Sequence, residues 1–121
     1  MTFTLTYIDM MKGSPMQKEW KPKVGDWVNH SKFGPLLISD MQTFHSRVEF
    51  VEESGYIWLP TSDDWWEKLN IPLFYLLNSF QETVFYDAPY YRQFNSLPEL
   101  LSAFYHKQRW GMRWENNQWR E

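Results

Sequence analysis

Aromatic residues impose the strongest constraint on what this chain can fold into. Eight Trp, seven Tyr and nine Phe residues make up 20% of its 121 residues. Burying one such side chain contributes more than about 2 kcal/mol, so most of them should leave water on folding. A chain of this length can bury roughly two-thirds of the surface of its unfolded form. We therefore expect a single aromatic-rich domain over residues 1–121.

Composition and charge exclude several classes of protein. The chain has no cysteine, which excludes disulfide scaffolds, thiolate zinc sites and cysteine nucleophiles. It has no apolar run near the roughly 20 residues that span a bilayer, and its first residues lack the basic segment of a secretory signal. The net charge of −3 is spread evenly along the chain rather than forming a basic surface. These features predict a cytoplasmic protein with no membrane partner.

The N-terminal segment, residues 1–22, is predicted to contain a strand followed by an exposed connector. Threonine alternates with bulky apolar residues over 2–8, which is the period of a half-buried strand. Residues 12–23 hold two prolines, a glycine and four lysines, which is typical of a connector. The alternative is a poorly ordered leader before a later translation start at Met10, Met11 or Met16.

Residues 23–59 are rich in short strand-like segments. Bulky, aromatic and β-branched residues cluster in four places, separated by glycine-bearing or proline-bearing breaks. The four segments are 24–28, 36–38, 47–52 and 56–59. The last two flank the loop Glu53-Ser54-Gly55 and should form a hairpin. We expect these segments to form a small antiparallel sheet. One possible arrangement is an SH3-like or barrel-like sheet.

Residues 60–121 are predicted to be helical and to end in a hairpin. Thr61 can cap a first helix whose opening turn carries two aspartates, and Asn70 can end it. Pro72 can open a second helix, although a strand competes over 83–86. The fold class is therefore α+β, with two or three helices after the sheet.

A capping box marks the last helix. In Ser96-Leu97-Pro98-Glu99 the serine hydroxyl should accept from the Glu99 amide, and Gly111 should end the helix. We place His106 on the polar, solvated face of this helix. The following Asn116-Asn117 pair tolerates the positive φ of a two-residue turn and would place Trp114 opposite Trp119.

The C-terminal third resembles uncharacterised small proteins encoded by bacteriophages and prophages of Gram-positive bacteria. The resemblance is carried by residues 91–104, with their Phe-x-Ser-x-x-x-Leu pattern, and by Gly111, Trp114 and Trp119. Trp110-Gly111-Met112 replaces the Tyr-Gly-Lys of those proteins. Two earlier motifs fit as well: Gly25-Asp26-Trp27-Val28 and Trp58-Leu59-Pro60. The similarity covers residues 20–121 and is patchy across 29–55 and 71–88. It implies a phage or prophage source in a bacterial host cell but no activity.

No motif for catalysis, metal binding or cofactor binding is present. His30, His45 and His106 are not spaced as metal ligands, and neither a G-x-S-x-G nucleophile motif nor a phosphate-binding glycine loop occurs. Helix capping explains Asp63-Asp64, and Glu52-Glu53 should be solvated near its loop. We predict a protein that is not an enzyme and has no metal and no cofactor.

Two groups of residues are candidates for binding a macromolecule. Adjacent helical residues cannot both face one core, and Tyr and Arg are enriched at interfaces. The candidate protein-interaction surface therefore comprises Trp65, Trp66, Tyr90, Tyr91 and Arg92. Cations interleaved with tryptophans can grip a single nucleic-acid strand. The candidate contacts of that kind are Lys107, Arg109, Trp110 and Arg113.

We expect a noncatalytic module that binds another protein or itself. The alternative is a nucleic-acid accessory protein that uses the basic and aromatic C-terminal surface. The acidic net charge disfavours the alternative, because phosphate contacts need a concentration of Lys and Arg.

Overall fold

A computed structural model describes residues 3–42, 56–70 and 72–121. The chain divides into two compact units, Met1–Pro60 and Thr61–Glu121. The first unit contains an antiparallel sheet, and the second contains helices followed by a strand pair. The predicted α+β class, with the sheet in the N-terminal half and a hairpin at the C-terminus, is confirmed. The expectation of a single domain stays a prediction.

The first unit begins with a helix where the alternation predicted a strand. Helix α1 spans Leu5–Lys12, and the Thr4 hydroxyl accepts from the Tyr7 amide at 3.1 Å. Its buried residues, Tyr7, Ile8, Met10 and Met11, follow helical spacing. The strand prediction is wrong here, because the helical spacing of the apolar residues over 7–11 competes with the alternation over 2–8 and the chain adopts the helix. The Tyr7 hydroxyl also donates to the Pro60 carbonyl at 2.6 Å.

The predicted exposed connector packs against the sheet instead. It contains the short helix α2, Met16–Glu19, and both Ser14 and Met16 are buried. The Gln17 side chain donates to the Trp58 carbonyl at 2.9 Å and accepts from the Trp58 amide at 2.8 Å. Trp20 stacks on Trp58 with ring centroids 6.1 Å apart. The connector prediction is wrong at these positions because its polar residues make specific bonds to the sheet.

Three short strands form the antiparallel sheet of this unit. Strand β1 (Trp27–His30) lies between β2 (Gly34–Leu37) and β3 (Tyr56–Trp58). Val28 and Ile38 form one buried apolar cluster of this sheet, and four half-buried side chains pack against it: Trp20, Leu36, Met41 and Tyr56. The strand predicted over 47–52 and its hairpin loop lie outside the described residues, so barrel closure stays a prediction.

A buried carboxylate ties the connector to β1. Asp26 is 2% exposed. Its carboxylate accepts from the Trp20 indole at 3.0 Å, from the Lys23 amide at 3.0 Å and from the Lys23 ammonium at 3.1 Å. Because a buried carboxylate needs such donors, Asp26 fixes the entry of the chain into the sheet.

The second unit opens with the predicted capped helix. Helix α3 spans Ser62–Leu69, with reciprocal hydrogen bonds between Thr61 and Asp64, and Asn70 ends it at φ 45°. Helix α4 spans Leu73–Tyr86 and continues through 83–86, where a strand was the alternative. One further turn, α5, covers Ala88–Tyr91.

The last helix and hairpin have the predicted boundaries. Helix α6 spans Leu97–Trp110, the Ser96 hydroxyl accepts from the Glu99 amide at 3.3 Å, and Gly111 ends the helix at φ 66°. Strands β4 (Arg113–Glu115) and β5 (Gln118–Arg120) pair around the two turn asparagines. Trp114 lies opposite Trp119, which confirms the predicted register.

Candidate functional site

His106 lies at the centre of an aromatic cluster and not on a solvated helix face. Its side chain is fully buried, and its ring stacks on Trp119 with centroids 3.8 Å apart and planes 7° from parallel. Trp110 and Trp65 lie at 5.2 and 6.0 Å. The prediction of a solvated His106 is wrong because Trp119 of β5 covers this face, a long-range contact that helix periodicity does not report.

The hydrogen bond of His106 assigns its protonation. Nδ1 lies 2.7 Å from the Ser102 carbonyl oxygen, an acceptor, so Nδ1 carries the proton of the neutral ring. Burial lowers the pKa of His106 to about 4, and the carbonyl bond opposes this only in part. A neutral, enclosed ring of this kind is a packing element.

Tyr90 and Tyr91, two of the five residues predicted for protein interaction, are buried. The Trp114 amide donates to the Tyr90 hydroxyl at 2.7 Å, and the Arg113 guanidinium lies 4.1 Å from the Tyr90 ring centroid. Burial raises the pKa of Tyr90, and it raises the pKa of Tyr91 to about 12. The contacts of Tyr90 attach the hairpin to α5, and both tyrosines are too buried for a partner to reach them in this conformation.

The other three predicted interaction residues differ in exposure. Trp65 is fully buried, with its ring 5.2 Å from that of Tyr105. Trp66 is half-buried at 6.3 Å from Phe80, and Arg92 is exposed. Trp65 is therefore buried, and the adjacent Trp66 is partly exposed. The five residues therefore do not form one exposed surface.

The fold places only some of the residues predicted to contact nucleic acid close to one another. The Arg109 guanidinium lies 4.9 Å from the Trp110 ring centroid and donates to the Tyr105 hydroxyl at 2.7 Å. Lys107 is exposed on the same helix. Arg113 instead forms ion pairs with Asp87 and, at 3.2 Å, with Glu115. The bond to Asp87 raises the pKa of Arg113, whose charge is balanced within the unit.

The outer face of α4 is the surface that sequence reasoning missed. We use this name for its exposed apolar side chains together with the exposed Glu82 between them. The apolar members are Tyr75, Leu77, Phe85 and Tyr86. Phe85 is 71% exposed and Tyr86 is 93% exposed. The signal was present in the sequence, because LFYLLNSFQETVFY has more apolar residues than one face of a helix can bury.

The described residues show neither a metal centre nor a membrane span. No group of three or more His, Asp or Glu side chains among them could hold a metal ion. His30 is buried, and its Nδ1 accepts from the amides of Lys32 and Phe33. His45, Glu52 and Glu53 lie outside the described residues. Within 3–42, 56–70 and 72–121, no helix combines the length and apolar character needed to cross a bilayer.

Comparison with known proteins gives no relative from which a role could be taken. No protein-family model, no curated protein and no solved structure matches this chain.

Proposed function

We propose that this chain is a noncatalytic protein-interaction module of phage or prophage type. The observation that carries the proposal is the outer face of α4, where four large apolar side chains stand in solvent. Several large apolar side chains exposed on one helix are costly in water, and such exposure marks surfaces that bind other molecules. The resemblance of residues 91–104 to small phage and prophage proteins supports the source.

The chemistry of this face indicates the kind of partner. Leu77 and Phe85 are two helical steps of four residues apart, so they lie on the same side of α4. Glu82 is the one charged residue within Leu73–Tyr86, and it is exposed between Tyr75 and Tyr86. A matching partner presents an apolar face with a Lys or Arg opposite Glu82. We therefore propose a second protein rather than another copy of this chain, which would bring Glu82 and no cation from this helix.

Affinity capture from a lysate of a Gram-positive host, with and without nuclease, tests the proposal. We expect one protein to be recovered in stoichiometric amount after nuclease treatment, and Glu82→Lys to reduce its recovery. Light scattering of the purified chain should give the mass of a monomer. Self-association of the chain through α4, or recovery of no protein in the capture, would contradict the proposal that α4 binds a second protein.

One observation favours the nucleic-acid alternative. Arg109 lies against Trp110, which is an arrangement that can stack on a base and contact a phosphate. This function predicts binding to a single-stranded oligonucleotide that weakens steeply as salt rises and is reduced in Lys107→Gln and Arg109→Gln. Recovery of nucleic acid, with proteins lost on nuclease treatment, would favour it over the protein-interaction proposal.

A further inference from the structure

The main-chain groups of Trp58 point away from the centre of the first unit's sheet. Among the described strands, β3 lies at one end of the order β2-β1-β3. The Leu59 amide donates to the Trp27 carbonyl at 2.8 Å, so the main-chain groups of Leu59 face β1. Because these groups alternate in direction along a strand, the amide and carbonyl of Trp58 face the opposite side, which is the outer edge of β3.

The Gln17 side chain binds both of these outward groups. Its amide nitrogen donates to the Trp58 carbonyl at 2.9 Å, and its amide oxygen accepts from the Trp58 amide at 2.8 Å. A residue of a neighbouring antiparallel strand makes the same pair of bonds, one donated and one accepted. Gln17 therefore takes the place of a paired strand at this position of the edge.

The chain after Trp58 offers little to a further strand. Pro60 has no amide hydrogen, and its carbonyl accepts from the Tyr7 hydroxyl at 2.6 Å. Side chains of α1 and α2 thus bind main-chain groups at two positions that are two residues apart. Sheet edges without such protection are templates on which another chain can pair.

The segment around Gln17 holds the side chain at this edge. Met16 is fully buried, and its amide donates to the Ser14 hydroxyl at 3.0 Å. On the other side of Gln17, the Trp20 ring stacks on the Trp58 ring with planes 6° from parallel. Because both flanks of Gln17 are fixed by packing, little further conformational entropy is lost when its amide binds Trp58.

We propose that Gln17 blocks self-association of this chain through the edge of β3. The partner that it excludes is a second copy. Without Gln17, Trp58 would present one donor and one acceptor, which are complementary to the same two groups on Trp58 of an antiparallel copy. Such a contact is isologous and closes as a dimer. The proposal concerns the first unit and does not rest on the binding role of the outer face of α4.

Three variants of the full chain test this role. Gln17→Met keeps a side chain of similar volume and removes the amide that makes both hydrogen bonds. Gln42→Met is the matched control, because it makes the same change at an exposed position of the first unit. Gln17→Glu can still accept from the Trp58 amide, and it would bring two negative charges together in the dimer. If Gln17→Met fails to fold, Gln17→Asn, whose amide is one methylene shorter, replaces it.

Sedimentation equilibrium at protein concentrations up to about 1 mM measures the association. We expect the mass of a monomer for the wild type, Gln42→Met and Gln17→Glu, and a mass that approaches twice this value for Gln17→Met. On dilution of Gln17→Met, the backbone NMR signals of residues 56–60 should change and those of residues 75–86 should not. In the dilute sample, the Trp58 amide should exchange with solvent at least about tenfold faster than in the wild type.

Three results would overturn the proposal. The first is a monomeric Gln17→Met at all of these concentrations, since faster exchange at Trp58 without association would show that Gln17 only stabilises the sheet. The second is equal association of Gln17→Met and Gln42→Met, which would show a general effect of an added apolar side chain. The third is a concentration dependence of the signals of residues 75–86, which would assign the association to α4.

Discussion

At the scale of single residues, the burial of His106 makes the stability of the fold depend on pH. The folded chain holds the ring neutral between Trp119 and Trp110, and burial lowers its pKa to about 4 from an ordinary value of 6.5. In the unfolded chain the ring is protonated below about pH 6.5. Between these two values the unfolded state therefore binds more protons than the folded state.

The first prediction follows from this difference in pKa. The free energy of unfolding should decrease as pH falls from 6.5 towards 4, by up to about 3 kcal/mol from His106, and His106 should contribute no pH dependence above that window. In His106→Phe this part of the dependence should vanish. Urea unfolding at pH 7.5, 5.5 and 4.5 measures it for both proteins. Equal pH dependence in the two proteins would contradict the assignment.

Single side chains were the hardest features to predict from sequence. The residue types of Tyr90 and Tyr91 suit either an interface or a core, and the hydrogen bond from the Trp114 amide to the Tyr90 hydroxyl joins residues 24 positions apart. The sequence could predict that the neighbours Trp65 and Trp66 differ in burial. Which of them is buried depends on the contact of Trp65 with Tyr105, which no local pattern reports.

At the scale of elements, local chemistry predicted both ends of α3, both ends of α6 and the final turn. The Thr61 cap, Gly111 and the asparagine turn were confirmed because each depends on residues within four positions along the chain. Helix α1 was missed because two periods coexist over residues 3–11. The Tyr7 hydroxyl donates to the Pro60 carbonyl, 53 positions away, and this long-range hydrogen bond stabilises the helix.

The second prediction concerns the C-terminal turn. Asn117 has φ 61°, where glycine is favoured over any other residue. Asn117→Gly should raise the free energy of unfolding by about 0.5 kcal/mol, and Asn117→Ala should lower it by about 1 kcal/mol. Thermal unfolding followed by tryptophan fluorescence measures both, with Glu121→Ala as the control. A higher stability for Asn117→Ala than for Asn117→Gly would contradict the turn geometry.

The third prediction concerns the start of α3. Thr61→Ala removes the hydroxyl that accepts from the Asp64 amide at 3.3 Å, and it should lower the free energy of unfolding by about 1 kcal/mol. Thr61→Ser keeps that hydroxyl and should retain most of the stability. Urea unfolding compares the three proteins. Equal losses in Thr61→Ala and Thr61→Ser would show that the cap is not the source of the effect.

At the scale of the whole molecule, the sequence predicted which secondary-structure elements are present better than it predicted how they are arranged. Three of the predicted strand segments lie in the described sheet, but the order β2-β1-β3 places the first strand in the middle, which no short-range pattern indicated. The division at Pro60 coincides with the predicted change from strands to helices. The outer face of α4 could have been inferred from its surplus of apolar residues.

The central claim is that the outer face of α4 binds a protein partner. The most direct measurement is quantitative mass spectrometry of the nuclease-treated capture, comparing Leu77→Gln/Phe85→Gln with the matched control Leu5→Gln/Phe33→Gln. The control changes the same residue types at exposed positions of the first unit. The account predicts about tenfold less partner on the α4 variant and wild-type recovery on the control. Equal recovery of the partner by both variants would contradict it.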